Sequence, residues 1–184
     1  MRIALSGSHP VGKTSLLNEL QRQLVGYDAV EEPYAELLLD GHEFAEPPSA
    51  EDFVTQLEHS ISRIGGDSGT NRLYDRCPAD FLAYLAATNV ETREWISAAH
   101  GTLSTIDLIV YVPIEQPDRI STGLEFARQR SHVDGLLREM LMDDGYGFSC
   151  PAIEVHGSIE SRAHQVTSAL DGRDPTFTST RVIR

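Results

Sequence analysis

The chain has 184 residues, enough for one domain that buries a sizeable core. Its formal net charge of −13 argues against a nucleic-acid polymer or an anionic membrane surface as partner, and two cysteines are too few for a disulfide framework or a cysteine metal site. With 40% hydrophobic and 23% charged residues the composition is that of an ordinary globular protein, and no run of roughly 18 apolar residues is present to span a membrane.

The first residues carry no apolar leader with a cleavage site, so a cytoplasmic protein with reduced Cys77 and Cys150 is expected. Ile3, Ala4 and Leu5 read as a short strand, and Leu16, Leu17, Leu20 and Leu24 as one face of a helix. Between them residues 7–14, G-S-H-P-V-G-K-T, fit G-x-x-x-x-G-K-[ST] at every fixed position. Strand, glycine loop and helix together turn backbone N–H groups around a phosphate at a helix N-terminus. Gly7, Ser8, His9, Pro10, Val11, Gly12, Lys13, Thr14 and Ser15 are therefore expected to hold a nucleotide, ATP first among them. Lys13 would reach the β- and γ-phosphates, and the Thr14 hydroxyl would ligate Mg²⁺.

Lys13 is the sole lysine; the rest of the 15 basic residues are arginines. A compact ammonium persists where a wide guanidinium fork would not fit, which marks the loop as functional. The same count argues against a switch GTPase, whose N-K-x-D base-reading element needs a second lysine.

A second strand runs from Asp28 to Glu31, and Pro33 sits where a first helical turn tolerates it. Residues 41–50 read as a polar loop, and Ser49 caps a helix, "EDFVTQLEHSISRI", that Gly65 and Gly66 stop. "RLYD" reads as a buried strand ending at Asp75, and "PADFLAYLA" and "ETREWISAAH" as two helices. "DLIVYV", residues 107–112, is an unbroken apolar strand buried on both faces. A polar loop is expected over 113–132, then a helix with Val133, Leu136, Leu137, Met140 and Leu141 on one side. "AIEV" is the last strand, and Ile159, Ala163, Val166 and Leu170 mark a closing helix. Alternating strands and helices predict a three-layer α/β fold with a five-stranded parallel sheet. One domain over residues 1–171 is expected, with a lid near 119–133 and a loose tail at 172–184.

Ligands of such sheets gather beyond the carboxyl ends of the strands. That rule draws attention to Asp75 and Arg76, where an apolar run ending in Asp would support Mg²⁺; an N-cap for the next helix is a compatible reading. Glu31 and Glu32 end the neighbouring strand, where a carboxylate could take the proton of an attacking hydroxyl or simply sit against a helix dipole. Arg128 and Arg130, on what reads as a mobile loop, could close over a transferring phosphate.

The phosphate loop, E-P at the second strand end, D-R at the third and R-x-R before a late helix occur in this order in deoxynucleoside-kinase and thymidylate-kinase-like P-loop phosphotransferases, which the sequence resembles over residues 1–170. It also resembles small AAA-type ATP-binding proteins such as the ribosylnicotinamide kinase domain. The resemblance implies the P-loop NTPase fold in its nucleoside/nucleotide-kinase-like form. It implies Glu32 as base, Asp75 as the Mg²⁺-side carboxylate, Arg76 as stabiliser of phosphate charge, and Arg128 and Arg130 as lid arginines. Gln56 and Arg63 match the spacing of a base-reading Gln and a following Arg, with Asp80 as partner of Arg63. Where those kinases often carry E-R-S, this chain has Asp75, Arg76 and Cys77.

The expected activity is transfer of the γ-phosphate of ATP, with Mg²⁺, to a small acceptor, most simply a nucleoside-like hydroxyl. A nucleoside monophosphate acceptor is the alternative, as is an ATP-binding ATPase or regulator with no acceptor. Acceptor and donor identity, the choice of Glu32 or Asp75 as base, and oligomeric state, a homodimer included, stay open at this level.

Overall fold

The computed structural model describes residues 1–118, 124–143 and 145–172. Part of the expected lid, residues 119–123, and the expected tail from residue 173 lie outside the described residues. The elements are β1 (Arg2–Ser6), α1 (Lys13–Gln23), β2 (Asp28–Val30), α2 (Pro33–Leu39), α3 (Ala50–Gly66), β3 (Arg72–Asp75), α4 (Pro78–Ala87), α5 (Arg93–Leu103), β4 (Leu108–Tyr111), α6 (Leu124–Leu141), β5 (Ala152–Glu154) and α7 (Ile159–Asp171).

Alternation along the strands builds two cores. Ile3, Leu5, Leu73, Leu108 and Val110 face one side with α1 and α7, packing on Leu16, Leu17, Leu20, Ala163 and Val166. Ala4, Tyr74, Ile109 and Tyr111 face the other, against Leu57, Phe81, Leu82, Leu85, Leu103, Val133 and Leu137 of α3 to α6. A strand buried on both faces must be apolar throughout, and β4 is.

The five strands form one parallel sheet in the order β2-β3-β1-β4-β5. The chain leaves β1 towards β2 and β3, then crosses to β4 on the other side. The crevice at this reversal lies above the end of β1, where Leu5 stands opposite both Asp75 and Val110. Capping fixes where the surrounding helices start. Pro33 opens α2, and Ser49 and Asp52 form a reciprocal capping box on α3.

One expectation fails. The polar stretch before residue 133 is not all loop, since α6 begins at Leu124 and carries Arg128 and Arg130 on a helix. Leu, Glu, Ala, Arg and Gln are good helix formers, and the Val133, Leu137 and Met140 face docked beside α4 propagates the helix backwards. Among the described residues no helix is long and apolar enough to cross a membrane.

Candidate active site at the strand ends

Residues 7–12 link β1 to α1 as a loop that glycine makes possible at two points. A Cβ on Gly7 would collide with the Val112 carbonyl oxygen, so only glycine lets the loop pass β4 this closely. Gly12, at φ 86°, is the N-cap of α1 in the left-handed region. Lys13 follows at the first position of the helix and is buried. Its Nζ donates to the carbonyls of Gly7 at 2.8 Å and Ser8 at 3.0 Å. Burial strips water from the ammonium and Arg76 repels it, bringing its pKa down from 10.5 to about 7.

Thr14 Oγ1 donates to Asp75 Oδ2 at 2.7 Å, tying α1 to the end of β3. The other oxygen, Asp75 Oδ1, is buried without a hydrogen-bond partner. Burial raises the pKa of this carboxyl, against the pull of the Thr14 hydrogen bond, Lys13 and Arg76. An orphaned carboxylate oxygen beside a hydroxyl suits Mg²⁺, which takes few protein ligands and completes its octahedron with water and phosphate. Among the described residues no cluster of three or more His, Cys, Asp or Glu side chains could hold a metal alone.

Arg76 stands next to Asp75 with φ 82°, a left-handed conformation that is uncommon for a residue with a side chain. Its N–H donates to the Leu5 carbonyl, and its Nε donates to Glu32 Oε2 at 2.9 Å. Its Nη1 lies 3.5 Å from Asp80 Oδ1, and the guanidinium sits over the Tyr84 ring at 5.8 Å. Burial opposes its charge, but Tyr84, Asp80 and Glu32 outweigh that and raise its pKa above the usual arginine value. Glu32 is the residue just before α2, so the E-P dipeptide holds this carboxylate at the sheet edge. Lys13, Thr14, Asp75, Arg76 and Glu32 are thus brought together.

His9 is exposed on the loop. Its N–H donates to the Tyr84 hydroxyl at 3.0 Å, and its ring meets Phe126 of α6 edge-on at 6.5 Å. Partial desolvation by the side chains around it, with the neighbouring Arg76 and Lys13, lowers its pKa.

Asp80 does not pair with Arg63. It is fully buried, accepting the Gly7 N–H at 3.0 Å through Oδ1 and the Cys77 N–H at 3.0 Å through Oδ2. Its place three residues into the turn after Cys77 makes it the capping-box acid of α4 and the anchor of the phosphate loop. Arg63 instead reaches Glu36 Oε1 at 3.5 Å, and Glu36 also meets His59 at 2.7 Å. Gln56 is buried and donates to the Asp52 carbonyl in its own helix. Arg128 is exposed, whereas Arg130 is buried, with Nη1 on Asp118 at 2.7 Å and Nη2 on the Pro10 carbonyl at 3.1 Å.

A cleft of about 410 Å³ opens on the far side of the loop, lined by Pro10, Val11, Glu115, Asp118, Arg130 and Arg162 among others. Sequence reasoning missed Glu115 and Arg162. A signal for Arg162 existed: it stands four residues before Val166, on the edge of the apolar stripe of α7.

The sheet order, the phosphate loop and the Thr14–Asp75 contact define the fold of the P-loop nucleoside and nucleotide kinases. A family model described as an AAA domain matches residues 2–162, and the chain belongs to that family. No curated protein matches the sequence. Among solved structures, deoxyadenosine kinase from M. mycoides with bound dATP is similar at a TM-score of 0.65 and 14% identity, covering 93% of this chain and 100% of that one. NadR in complex with NAD and AMP-PNP is similar at 0.64 and 16%, covering 98% of this chain and 51% of that one, so the chain spans about half of NadR. Thymidylate kinase from Candida albicans is similar at 0.62 and 14%, covering 92% of this chain and 90% of that one.

Proposed function

We propose that the protein transfers the γ-phosphate of ATP, with Mg²⁺, to a hydroxyl of a small nucleoside-like acceptor. The observation that carries this reading is the convergence of Lys13, the Thr14–Asp75 pair and the Arg76–Glu32 pair on one crevice beyond the sheet.

The donor's phosphates would lie in the loop, against its N–H groups and the N-terminus of α1. Lys13 would exchange the Gly7 and Ser8 carbonyls for phosphate oxygens, and the anion would restore the full ammonium charge that burial now disfavours. The base would enter the 410 Å³ cleft between Arg130 and Arg162. Mg²⁺ would neutralise charge on the phosphates, with Thr14 and Asp75 as the groups to hold it. Glu32 would accept the hydroxyl proton, oriented by its hydrogen bond from Arg76. Arg76, kept charged by its carboxylate neighbours, would stabilise the negative charge of the transferring group.

A specific observation favours a hydroxyl over a phosphate acceptor. Two arginines on this side of the loop, Arg63 and Arg76, are each already engaged by carboxylates, Glu36 and Asp67 for the first, Glu32 and Asp80 for the second. An incoming phosphate would meet these acids as well as the arginines. Gln56 and Arg63 are retained in this proposal as residues of the acceptor side, on one face of α3.

The test is an ADP-release assay with Mg²⁺–ATP across nucleosides, ribosides and nucleoside monophosphates. Acceleration by an unphosphorylated nucleoside or riboside is the expected result. Slow ATP hydrolysis that no acceptor accelerates would instead mark an ATPase or regulator. Absence of affinity for any nucleoside triphosphate would remove the proposal altogether.

A further inference from the structure

Arg162 belongs to the last described helix, yet its side chain is buried at 6% exposure against the loop that begins the chain. Its Nη1 donates to the Val11 carbonyl at 2.8 Å and its Nη2 to Glu115 Oε1 at 3.0 Å. The same Glu115 oxygen accepts the Gly157 N–H at 2.7 Å. The Gly157 N–H and the Arg162 guanidinium both stabilise this carboxylate and hold its pKa below the usual value. Three strand-end loops, those after β1, β4 and β5, therefore meet on the Arg162–Glu115 pair. A buried guanidinium is costly without partners, and the chain supplies a carbonyl and a carboxylate rather than an apolar side chain here.

The peptide bond explains what such a contact does. Each peptide is planar, and across a trans bond the C=O and the following N–H point in opposite directions. The Val11–Gly12 peptide is trans, as is Pro10–Val11. Arg162 draws the Val11 carbonyl to the cleft side, which turns the Gly12 N–H to the opposite, cradle side. Arg130 draws the Pro10 carbonyl in the same way and turns the Val11 N–H.

We propose that Arg162 is a positioning residue for the donor's phosphates, acting through the Val11 carbonyl to aim the Gly12 N–H of the phosphate loop. The inference rests on the phosphate-binding reading above, and it assigns to α7 a part in it that the loop motif does not contain. Arg162 touches neither the transferring group nor the acceptor in this account. Its loss weakens the grip on the donor and leaves acceptor binding alone.

The discriminating ligand is inorganic tripolyphosphate, which has the phosphates and no base. Competition against a fluorescent ATP analogue, with melting temperature recorded, is measured for the wild type, Arg162→Met and Arg162→Lys. Arg162→Met is expected to bind both ATP and tripolyphosphate about 10- to 100-fold more weakly, with the acceptor KM unchanged. Arg162→Lys restores the charge without the fork and falls between. If Arg162→Met does not fold, Arg162→Lys and Glu115→Gln carry the test, each expected to weaken tripolyphosphate binding several-fold. A folded Arg162→Met, or failing it both milder variants, with wild-type affinity for tripolyphosphate overturns the proposal. So does a loss confined to ATP, which would mean a contact to the base, and so does a wild type that binds ATP but is indifferent to tripolyphosphate. A wild type that binds no triphosphate defeats the kinase reading itself, a result distinct from all of these.

Discussion

Thr14 and Asp75 lie 61 positions apart in the chain, yet Oγ1 of one donates to Oδ2 of the other at 2.7 Å, leaving Asp75 Oδ1 buried and unpaired. The contact joins the helix that follows the phosphate loop to the end of β3. Asp75→Asn keeps an acceptor for the Thr14 hydroxyl and removes the negative charge. The Mg²⁺ needed for half-maximal ATP turnover should rise about 10- to 100-fold, with metal-free ATP binding little changed. A Mg²⁺ titration of turnover checks this, and an unaltered midpoint would take Asp75 out of the metal site.

Lys13 makes nucleotide binding pH-dependent. With the Lys13 pKa brought down to about 7, a polyphosphate that restores the ammonium draws in a proton when binding occurs above that pH. Calorimetry in buffers of differing ionisation enthalpy should show proton uptake that grows between pH 6 and pH 8. The same depressed value acts on stability. Between about pH 7 and 10.5 the unfolded chain binds more protons at this residue, so the cost of burying the ammonium, felt in full below about pH 7, fades and stability rises as pH climbs through that window. Lys13→Met should flatten both dependences.

Glu32 accepts from Arg76 and is a third exposed, which leaves it open to an incoming hydroxyl. Glu32→Gln retains an acceptor for Arg76 while removing the basic group. Phosphorylation of a nucleoside acceptor should fall at least about 10²-fold with ATP affinity intact. Turnover equal to the wild type would remove the base assignment and turn attention to Asp75.

Asp80 is a structural anchor in this account. One fully buried carboxylate receives Gly7 N–H, Cys77 N–H and the Arg76 guanidinium. Asp80→Asn places an amide N–H against a donor and should cost about 3 kcal/mol or more, read as a lower urea midpoint with unchanged slope. Arg63→Gln, on the exposed side of α3, should leave that midpoint nearly where it was.

Gly7 is limited by space. Gly7→Ala pushes a methyl group into the Val112 carbonyl oxygen, a backbone atom that cannot swing aside. A loss of about 1–3 kcal/mol in stability is expected, together with weaker ATP binding because the loop must shift to relieve the clash. Thermal unfolding and nucleotide titration of the same variant measure the two effects.

Much of this architecture was legible in the chain. The phosphate loop is a local motif whose residues touch one another, and Lys13 is singled out by composition alone. The apolar runs of β1 and β4 and the strand-end positions of Asp75, Arg76 and Glu32 follow from periodicity, because sheet burial writes directly onto sequence. The Ser49 cap was readable because an N-cap acts locally, on the first turn of its own helix, whereas its reciprocal partner Asp52 emerged only with the fold.

What sequence alone did not reveal depends on contacts between distant segments. Whether residues 124–132 are loop or helix was decided by packing of the Val133–Leu137 face, which extends helix into a polar stretch with no stripe of its own. The partner of Asp80 was decided by where the turn after β1 passes α4, and so it is Gly7 and Arg76 rather than Arg63. Arg162 on α7 and Arg130 on α6 meet neighbouring carbonyls of the loop, from 151 and 120 residues away along the chain. A backbone carbonyl has no identity in a sequence, so a side chain that recognises one leaves no pattern for spacing to detect.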